Sequence, residues 1–344
     1  MARRTIVTIG ASAGGIEALG RVVRGLPPDI PAAIVVVVHI SEYSVLPAVL
    51  QRASPLPTAH ARDGEVPRPG RIYVAPPGVH LLLEDDHLRL RHGPRENGAR
   101  PAIDPLFRSA ARSVRDRVVG VILSGQLDDG VAGLYAIKAR GGLAIVQDPE
   151  DAAAPSMPSH ALRLVDVDFR APANQIGPLL AEIANEETMS TKSKRRGSER
   201  AASAAKRVIA KAVAGRNGVP MRGRDQDKIG ERHRARPPES PEQDPLRCPD
   251  CSGPLYRVSG GDLEQWSCRE GHVFSPDSLS SAQTDALERA LWLAVRTMKE
   301  RALIDRTISQ RGETSAPSTR ARLAERAHAT EHDVALLREI LARL

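Results

Sequence analysis

Aromatic residues are nearly absent from this chain: Phe, Trp and Tyr make up 3% of its 344 residues. A core built without them must come from Val, Leu, Ile and Ala, the residues of buried parallel strands and the helices that cover them. Cysteine is scarcer still. All three cysteines lie from Cys248 onward, too few and too clustered for a disulfide scaffold. No stretch approaches the ~20 apolar residues of a membrane span, which argues against membrane insertion. The start Met1-Ala2-Arg3-Arg4 is basic, but the apolar run behind it meets Gly10 and Ser12 too soon for a secretory leader. The expectation is a soluble, cytoplasmic protein.

Positive charge is what the chain has in excess, at a net +7, but it is unevenly spread. Residues 188–246 are rich in Arg, Lys, Ser and Pro, opening with Lys192-Ser193-Lys194-Arg195-Arg196, the profile of a disordered linker. That segment holds much of the excess, so the basic balance is not evidence for a nucleic-acid partner. A basic amphipathic helix over Ala201 to Ala214 reads as transient helicity rather than as a nucleic-acid or lipid contact.

Residues 1–187 read as an α/β domain with a doubly wound, mostly parallel sheet. Thr5 to Ile9 is a strand followed by a helix ending near Gly25, and Ala32 to His39 is a strand with four consecutive valines. Tyr43 to Arg52 follows as a helix. Residues 57–92 read as a hairpin insertion, because Arg71 to Val74, His80 to Leu83 and Leu88 to Leu90 are short and separated by Pro-Gly and Asp-Asp turns. Regular alternation resumes with a helix from Pro105, the strand Val118 to Ser124, a helix to Ala139, the strand Leu143 to Gln147 and a helix from Gln175 to Glu186.

Gly10-Ala11-Ser12-Ala13-Gly14-Gly15 joins the first strand to its helix. Taken alone it reads sooner as a tight βα turn or phosphate-cradling loop than as a nucleophile elbow, although Gly10, Ser12 and Gly14 have the elbow spacing. Two further strands change the weighting. His39 and the pair Asp128-Asp129 also stand at or just beyond strand ends, where open α/β sheets gather their ligands. Serine, imidazole and carboxylate together make an activated nucleophile. A dinucleotide site would instead want an acidic residue ending the second strand, where His39 stands. The chain order Ser, His, Asp is not that of the common α/β-hydrolases.

A second unit is expected at 247–279. Cys248-Pro249-Asp250-Cys251 and Cys268-Arg269-Glu270-Gly271-His272 offer three thiolates and one imidazole on two turns, a structural Zn²⁺ set with no open coordination position for catalysis. Residues 280–344 follow as a helical hairpin. Leu287, Leu291, Ala294, Met298, Ala302 and Ile308 stripe its first helix; Leu323, Ala327, Val334, Leu337, Ile340, Leu341 and Leu344 stripe the second. The stripes are read as intramolecular core before a partner-docking face.

The stretches Ile9 to Gly15, Val38 to Ser41, Ile72 to Leu81, Arg100 to Ala110, Leu123 to Gly133 and Gln147 to Ala161 resemble the catalytic domain of the chemotaxis protein-glutamate methylesterases, the CheB-type enzymes. The resemblance spans residues 1 to about 185. It implies hydrolysis of glutamyl methyl esters on the cytoplasmic helices of chemoreceptors, with glutamine deamidation as a second activity and no catalytic cofactor. Carried over by motif, Ser12 would be the nucleophile, His39 the general base and acid, and Asp129, directly before Gly130, the orienting carboxylate. Backbone N–H groups of Ala13 and Gln126 would form the oxyanion hole. Three departures stand out: Gln126-Leu127 replaces the usual Met-Gly, Ala13 replaces a common Thr, and no receiver domain precedes residue 12, which implies a stand-alone form. The alternative function is a non-catalytic adaptor docking on receptor or signalling helices through the hairpin.

Overall fold

A computed structural model of the chain describes residues 5–39, 44–192, 246–260, 263–310 and 317–343. The expected linker helix at Ala201 to Ala214 and the start of the helix expected from Tyr43 lie outside these residues. The chain divides into two compact units, Met1–Ser278 and Leu279–Leu344.

The first unit begins with β1 (Thr5–Ala11), α1 (Gly15–Arg24), β2 (Ala32–Val38), α2 (Leu46–Ala53), β3 (Thr58–His60) and β4 (Arg71–Val74). It continues with β5 (His80–Glu84), β6 (His87–Arg91), α3 (Ile103–Val114), β7 (Val118–Ile122), α4 (Val131–Lys138) and β8 (Leu143–Gln147). Then come α5 (Ser156–Leu164), β9 (Phe169–Ala171) and α6 (Ala173–Lys192). Seven strands form a sheet in the order β3-β4-β2-β1-β7-β8-β9, parallel at every pairing. β5 and β6 pair separately as an antiparallel hairpin.

Every residue of β1, β2 and β7 is buried. Their side chains alternate between two layers, as the strand period of two requires. Val7, Ile9, Ile34 and Val36 pack with Leu19 and Val22 of α1, Leu50 of α2 and Leu180 of α6. Ile6, Val35, Val37 and Ile122 pack on the other face with Phe107 of α3, Leu134 of α4, Met157 of α5 and Leu81 of the hairpin. Each such side chain contributes about 1.5–3 kcal/mol when fully buried, so aliphatic residues carry most of this core, with Tyr73 and Phe107 as its buried aromatics.

The expectation for residues 57–92 is half corrected. His80 to Leu90 is a hairpin, but β4 joins the main sheet in parallel with β2, with Ala33 opposite Arg71 and Val36 opposite Val74. β3 extends the same edge. Ile72, Tyr73 and Val74 are buried on both faces, and that burial outweighs the flanking turn residues.

Beyond the linker, β10 (Leu255–Gly260), β11 (Leu263–Cys268) and β12 (Val273–Phe274) form an antiparallel three-stranded ribbon. α7 (Pro276–Gln310) starts directly after it. Ser275 caps that helix: its Oγ accepts the Ser278 N–H at 3.0 Å and its own N–H donates to Ser278 Oγ at 2.9 Å, a reciprocal capping box with Pro276 at the first helical position.

In the second unit, α7 and α8 (Pro317–Leu341) are tied by the Arg326 guanidinium, whose Nε donates to Asp305 Oδ2 at 2.7 Å. Leu279, Val295, Ala302, Ala327 and Val334 are its buried apolar residues among those described. The expected stripes therefore hold only in part: Leu287, Ile308 and Ile340 are about half exposed, at 49%, 46% and 50%. No helix among the described residues is long and apolar enough to cross a membrane.

Candidate active site

Strand register, before any side-chain contact, brings Ser12 and His39 together. Ala11 pairs with Val38, and the His39 N–H extends the ladder by donating to Ala11 O at 3.2 Å. The next residues off two adjacent strands are then Ser12 and His39. On the other side of β1, Gly10 pairs with Ile122 of β7, so the loop after β7 reaches the same rim. The chain leaves β1 toward β2 and later returns to β7 on the opposite side. Such a reversal opens a crevice at the carboxyl ends of the strands.

The turn carrying Ser12 is fixed from below. Its N–H donates to Ser124 O at 2.9 Å, and Gly15 N–H closes back on Ser12 O at 2.8 Å. Ser124 Oγ donates to Ala13 O at 2.7 Å and accepts the Ala154 N–H at 2.9 Å. Gly14 takes a left-handed conformation, φ 70°, and a Cβ there would lie 2.6 Å from Ala153 Cβ. Glycine meets both demands.

His39 Nδ1 lies 3.1 Å from Ser12 Oγ and His39 Nε2 lies 2.7 Å from Asp129 Oδ2. Asp129 is 3% exposed against 23% for the imidazole. Both its oxygens meet donors: Oδ2 accepts the Ile103 N–H at 2.6 Å, and Oδ1 accepts Asn97 Nδ2 at 2.9 Å and the Asp104 N–H at 3.2 Å. Two of those donors are unpaired N–H groups opening α3, an end that favours negative charge. Burial alone would raise the Asp129 pKa. The His39 hydrogen bond and charge, with the Ile103 and Asn97 bonds, outweigh it and hold the carboxyl below its usual value. An anionic Asp129 takes the Nε2 proton as its hydrogen-bond donor and leaves the Nδ1 lone pair facing the serine hydroxyl.

Asp128, the other half of the pair, accepts Ser275 Oγ at 2.6 Å, and burial pushes its pKa up. Asp104 is fully enclosed at the start of α3. Its Oδ1 accepts the Gly133 N–H at 2.6 Å and its Oδ2 accepts Asn97 Nδ2 at 3.1 Å. Burial, then the Asp129 charge, pushes it up to about 8, so at neutral pH the negative charge of this carboxyl pair rests on Asp129.

Ala13 and Gln126 sit on the two turns that flank Ser12, and among the described residues neither N–H has a backbone partner. Arg108 bonds Glu96 at 2.5 Å and lines a cavity of about 310 Å³ with Arg112, Gln265 and Val273, apart from Ser12 and His39. His80 is buried: it contacts Pro94 O at 2.7 Å and receives the Ala102 N–H at 3.3 Å, pinning the segment that enters α3.

The ligand atoms of Cys248, Cys251, Cys268 and His272 all lie within 4.8 Å of one another, a grouping that can hold a metal ion. Cys251 Sγ and Cys268 Sγ are 3.6 Å apart, and Cys268 Sγ is 3.3 Å from His272 Nδ1. A tetrahedral zinc with bonds of ~2.3 Å to sulfur and ~2.0 Å to nitrogen requires separations of this size, so the residues fit that ion.

Asn97 and Ser275 touch the carboxylates of this site without any sequence signal for it. Asn97-Gly98 reads as a turn, and Ser275 as a helix cap.

The CheB methylesterase family model matches residues 7–180. The chain is 42% identical over 184 residues to protein-glutamate methylesterase/protein-glutamine glutaminase 2 of Anaeromyxobacter dehalogenans (strain 2CP-C), covering 53% of this chain and 54% of that protein. It is 38% identical over 180 residues to a putative protein-glutamate methylesterase/protein-glutamine glutaminase of Leptospira interrogans serovar copenhageni, covering 52% of this chain and 93% of that one. The chain thus spans about half the length of the first relative and most of the second. The crystal structure of the Thermotoga maritima CheB methylesterase catalytic domain is similar with a TM-score of 0.51 and 33% identity, covering 52% of this chain and 98% of that one.

Proposed function

The chain belongs to the CheB methylesterase family, and from that premise we propose that it hydrolyses glutamyl methyl esters on the cytoplasmic helices of chemoreceptors. The observation that carries the reading is the continuous contact from Ser12 Oγ to His39 Nδ1 and from His39 Nε2 to Asp129 Oδ2.

Ser12 Oγ attacks the ester carbonyl while His39 Nδ1 takes its proton. Asp129 holds the Nε2–H and stabilises the imidazolium without itself becoming protonated. The N–H groups of Ala13 and Gln126 receive the charge developing on the carbonyl oxygen, each such donor being worth about 10²–10³ in rate. Collapse expels the methoxy oxygen, which takes the Nδ1 proton and leaves as methanol. Water then repeats the cycle on the acyl-serine, giving its proton to Nδ1; Ser12 recovers a proton and the glutamate carboxylate is released. A glutamine side chain entering the same path loses ammonia, the second activity in the relatives' names.

The Cys248, Cys251, Cys268 and His272 set is read as a structural zinc site, a role that suits the free thiols and a reducing cytoplasm. The test of function is methanol release from receptor helices carrying labelled methyl esters. The unsubstituted protein releases methanol and Ser12→Ala does not. Absence of release from both, with receptor binding retained, would favour the non-catalytic adaptor.

A further inference from the structure

Asn97 uses all of its side-chain hydrogen-bonding capacity across two parts of the first unit. Its two amide hydrogens go to Asp129 Oδ1 at 2.9 Å and Asp104 Oδ2 at 3.1 Å. Its Oδ1 accepts the Ser275 N–H at 3.1 Å and Ser278 Oγ at 2.9 Å. A backbone N–H can only donate, so Ser275 fixes which end of the amide is oxygen. The nitrogen must then face the carboxylates.

The backbone repeats the connection. The Asn97 N–H donates to Val273 O at 2.7 Å, and Glu96 bridges Val273 in parallel. A second arm runs from Ser275 Oγ to Asp128 Oδ1 at 2.6 Å, one residue before Asp129. Ser275 and Ser278 are themselves locked by their reciprocal cap. The ribbon that carries Cys268 and His272 therefore ends in a clamp on the turn that carries Asp129.

We propose that Asn97 is a positioning residue for Asp129, and that the end of the ribbon, through Ser275 and Ser278, holds Asn97 in the orientation that aims the carboxylate at His39. The inference rests on the esterase reading for its kinetic consequence but not for its structural one. With the clamp intact, Asp129 Oδ2 is free to serve the Nε2–H while Oδ1 is held by the amide. Without it, the carboxylate keeps the Ile103 and Asp104 N–H groups but loses the side-chain donor on Oδ1, one of the constraints on its rotation.

Two measurements on the full chain test this. In the first, the His39 Nε2–H proton of the unsubstituted protein is expected far downfield in the proton NMR spectrum, and Asn97→Ala and the double change Ser275→Ala/Ser278→Ala move it upfield or broaden it. Ser278→Thr, which keeps a hydroxyl, leaves it in place. In the second, Asn97→Ala lowers kcat for methyl-ester hydrolysis about 10-fold or more with KM within twofold. Ser278→Ala lowers it in the same direction, and adding it to Asn97→Ala costs nothing more, because the Ser278 hydroxyl acts through Asn97 Oδ1. An unmoved Nε2–H signal, or kinetic effects of Asn97 and Ser278 that simply multiply, would overturn the proposal. An unsubstituted protein with no hydrolysis but with the expected NMR shifts would defeat the esterase reading and leave the clamp standing.

Discussion

His39 meets Ser12 through Nδ1, at 3.1 Å from Oγ, and so turns Nε2 toward Asp129. The arrangement follows from where the carboxylate sits. Asp129 is pinned to the N-terminal N–H groups of α3, and an imidazole at the end of β2 reaches both partners with that ring edge inward. The proton on the carboxylate side and the lone pair on the serine side are thereby assigned.

Asp129→Asn should be more damaging than an isosteric change suggests. Both oxygens of Asp129 accept from N–H donors, so either flip of an amide turns its NH₂ against another donor. We expect kcat for methanol release to fall by about 10³–10⁴, the size seen when a triad carboxylate becomes an amide, with about 1–3 kcal/mol of stability lost to unmatched buried donors. Steady-state kinetics and denaturant unfolding check the two effects separately.

Asp104 gives a pH signature in stability. Unfolded, its carboxyl titrates near ~4; folded, it titrates at about 8. Across that window the folded protein keeps a proton that the unfolded chain has lost, so the contribution of Asp104 is fully present at acid pH and declines as pH rises toward 8. Asp104→Asn removes this slope. Its melting temperature relative to the unsubstituted protein should rise from pH 4 to 8 and level off above. A difference that does not vary with pH would rule out the neutral buried carboxyl.

Gly125→Ala should injure the reaction more than the fold. A Cβ there would lie 2.6 Å from Met157 Cε, the flexible end of a side chain, but also 3.0 Å from Ser12 Cβ. Met157 can yield, whereas Ser12 is held by the Ser124 bond beneath it. About a 10²-fold fall in kcat is expected from displacing a reacting group by a fraction of an ångström to 1 Å. The loss of thermal stability should be small, and calorimetry beside kinetics distinguishes the two.

Metal analysis should find one zinc per chain, and Cys248→Ser should abolish stoichiometric binding. Hydrogen exchange in residues 246–260 and 263–274 is then expected to rise, since so short a segment depends on its staple. A metal content near zero in pure, reduced protein would defeat the zinc assignment.

The βα alternation and the strand-end positions of Ser12, His39 and Asp129 were legible because valine-rich strands and glycine turns are local signals. The place of β4 was not. Arg71 to Val74 is four residues between turns, and only its pairing with Ala33 to Val36 distinguishes a central strand from half of a hairpin. β9, at three residues, is below the length at which periodicity can be read. Asn97 is silent in sequence for another reason: its contacts are to Asp129, 32 positions away, and to Ser275, 178 positions away. No pattern within its own neighbourhood encodes that.

The hydrogen bonds from Ser275 and Ser278 also bear on how the chain can be divided for laboratory use. A recombinant fragment stopped at residue 180, the end of the family match, would keep the sheet and the three candidate reacting groups. It would leave Asn97 Oδ1 and Asp128 without their serine partners. The shorter piece is thus a different molecule at the candidate site, and rates obtained from it would not stand for those of the intact polypeptide.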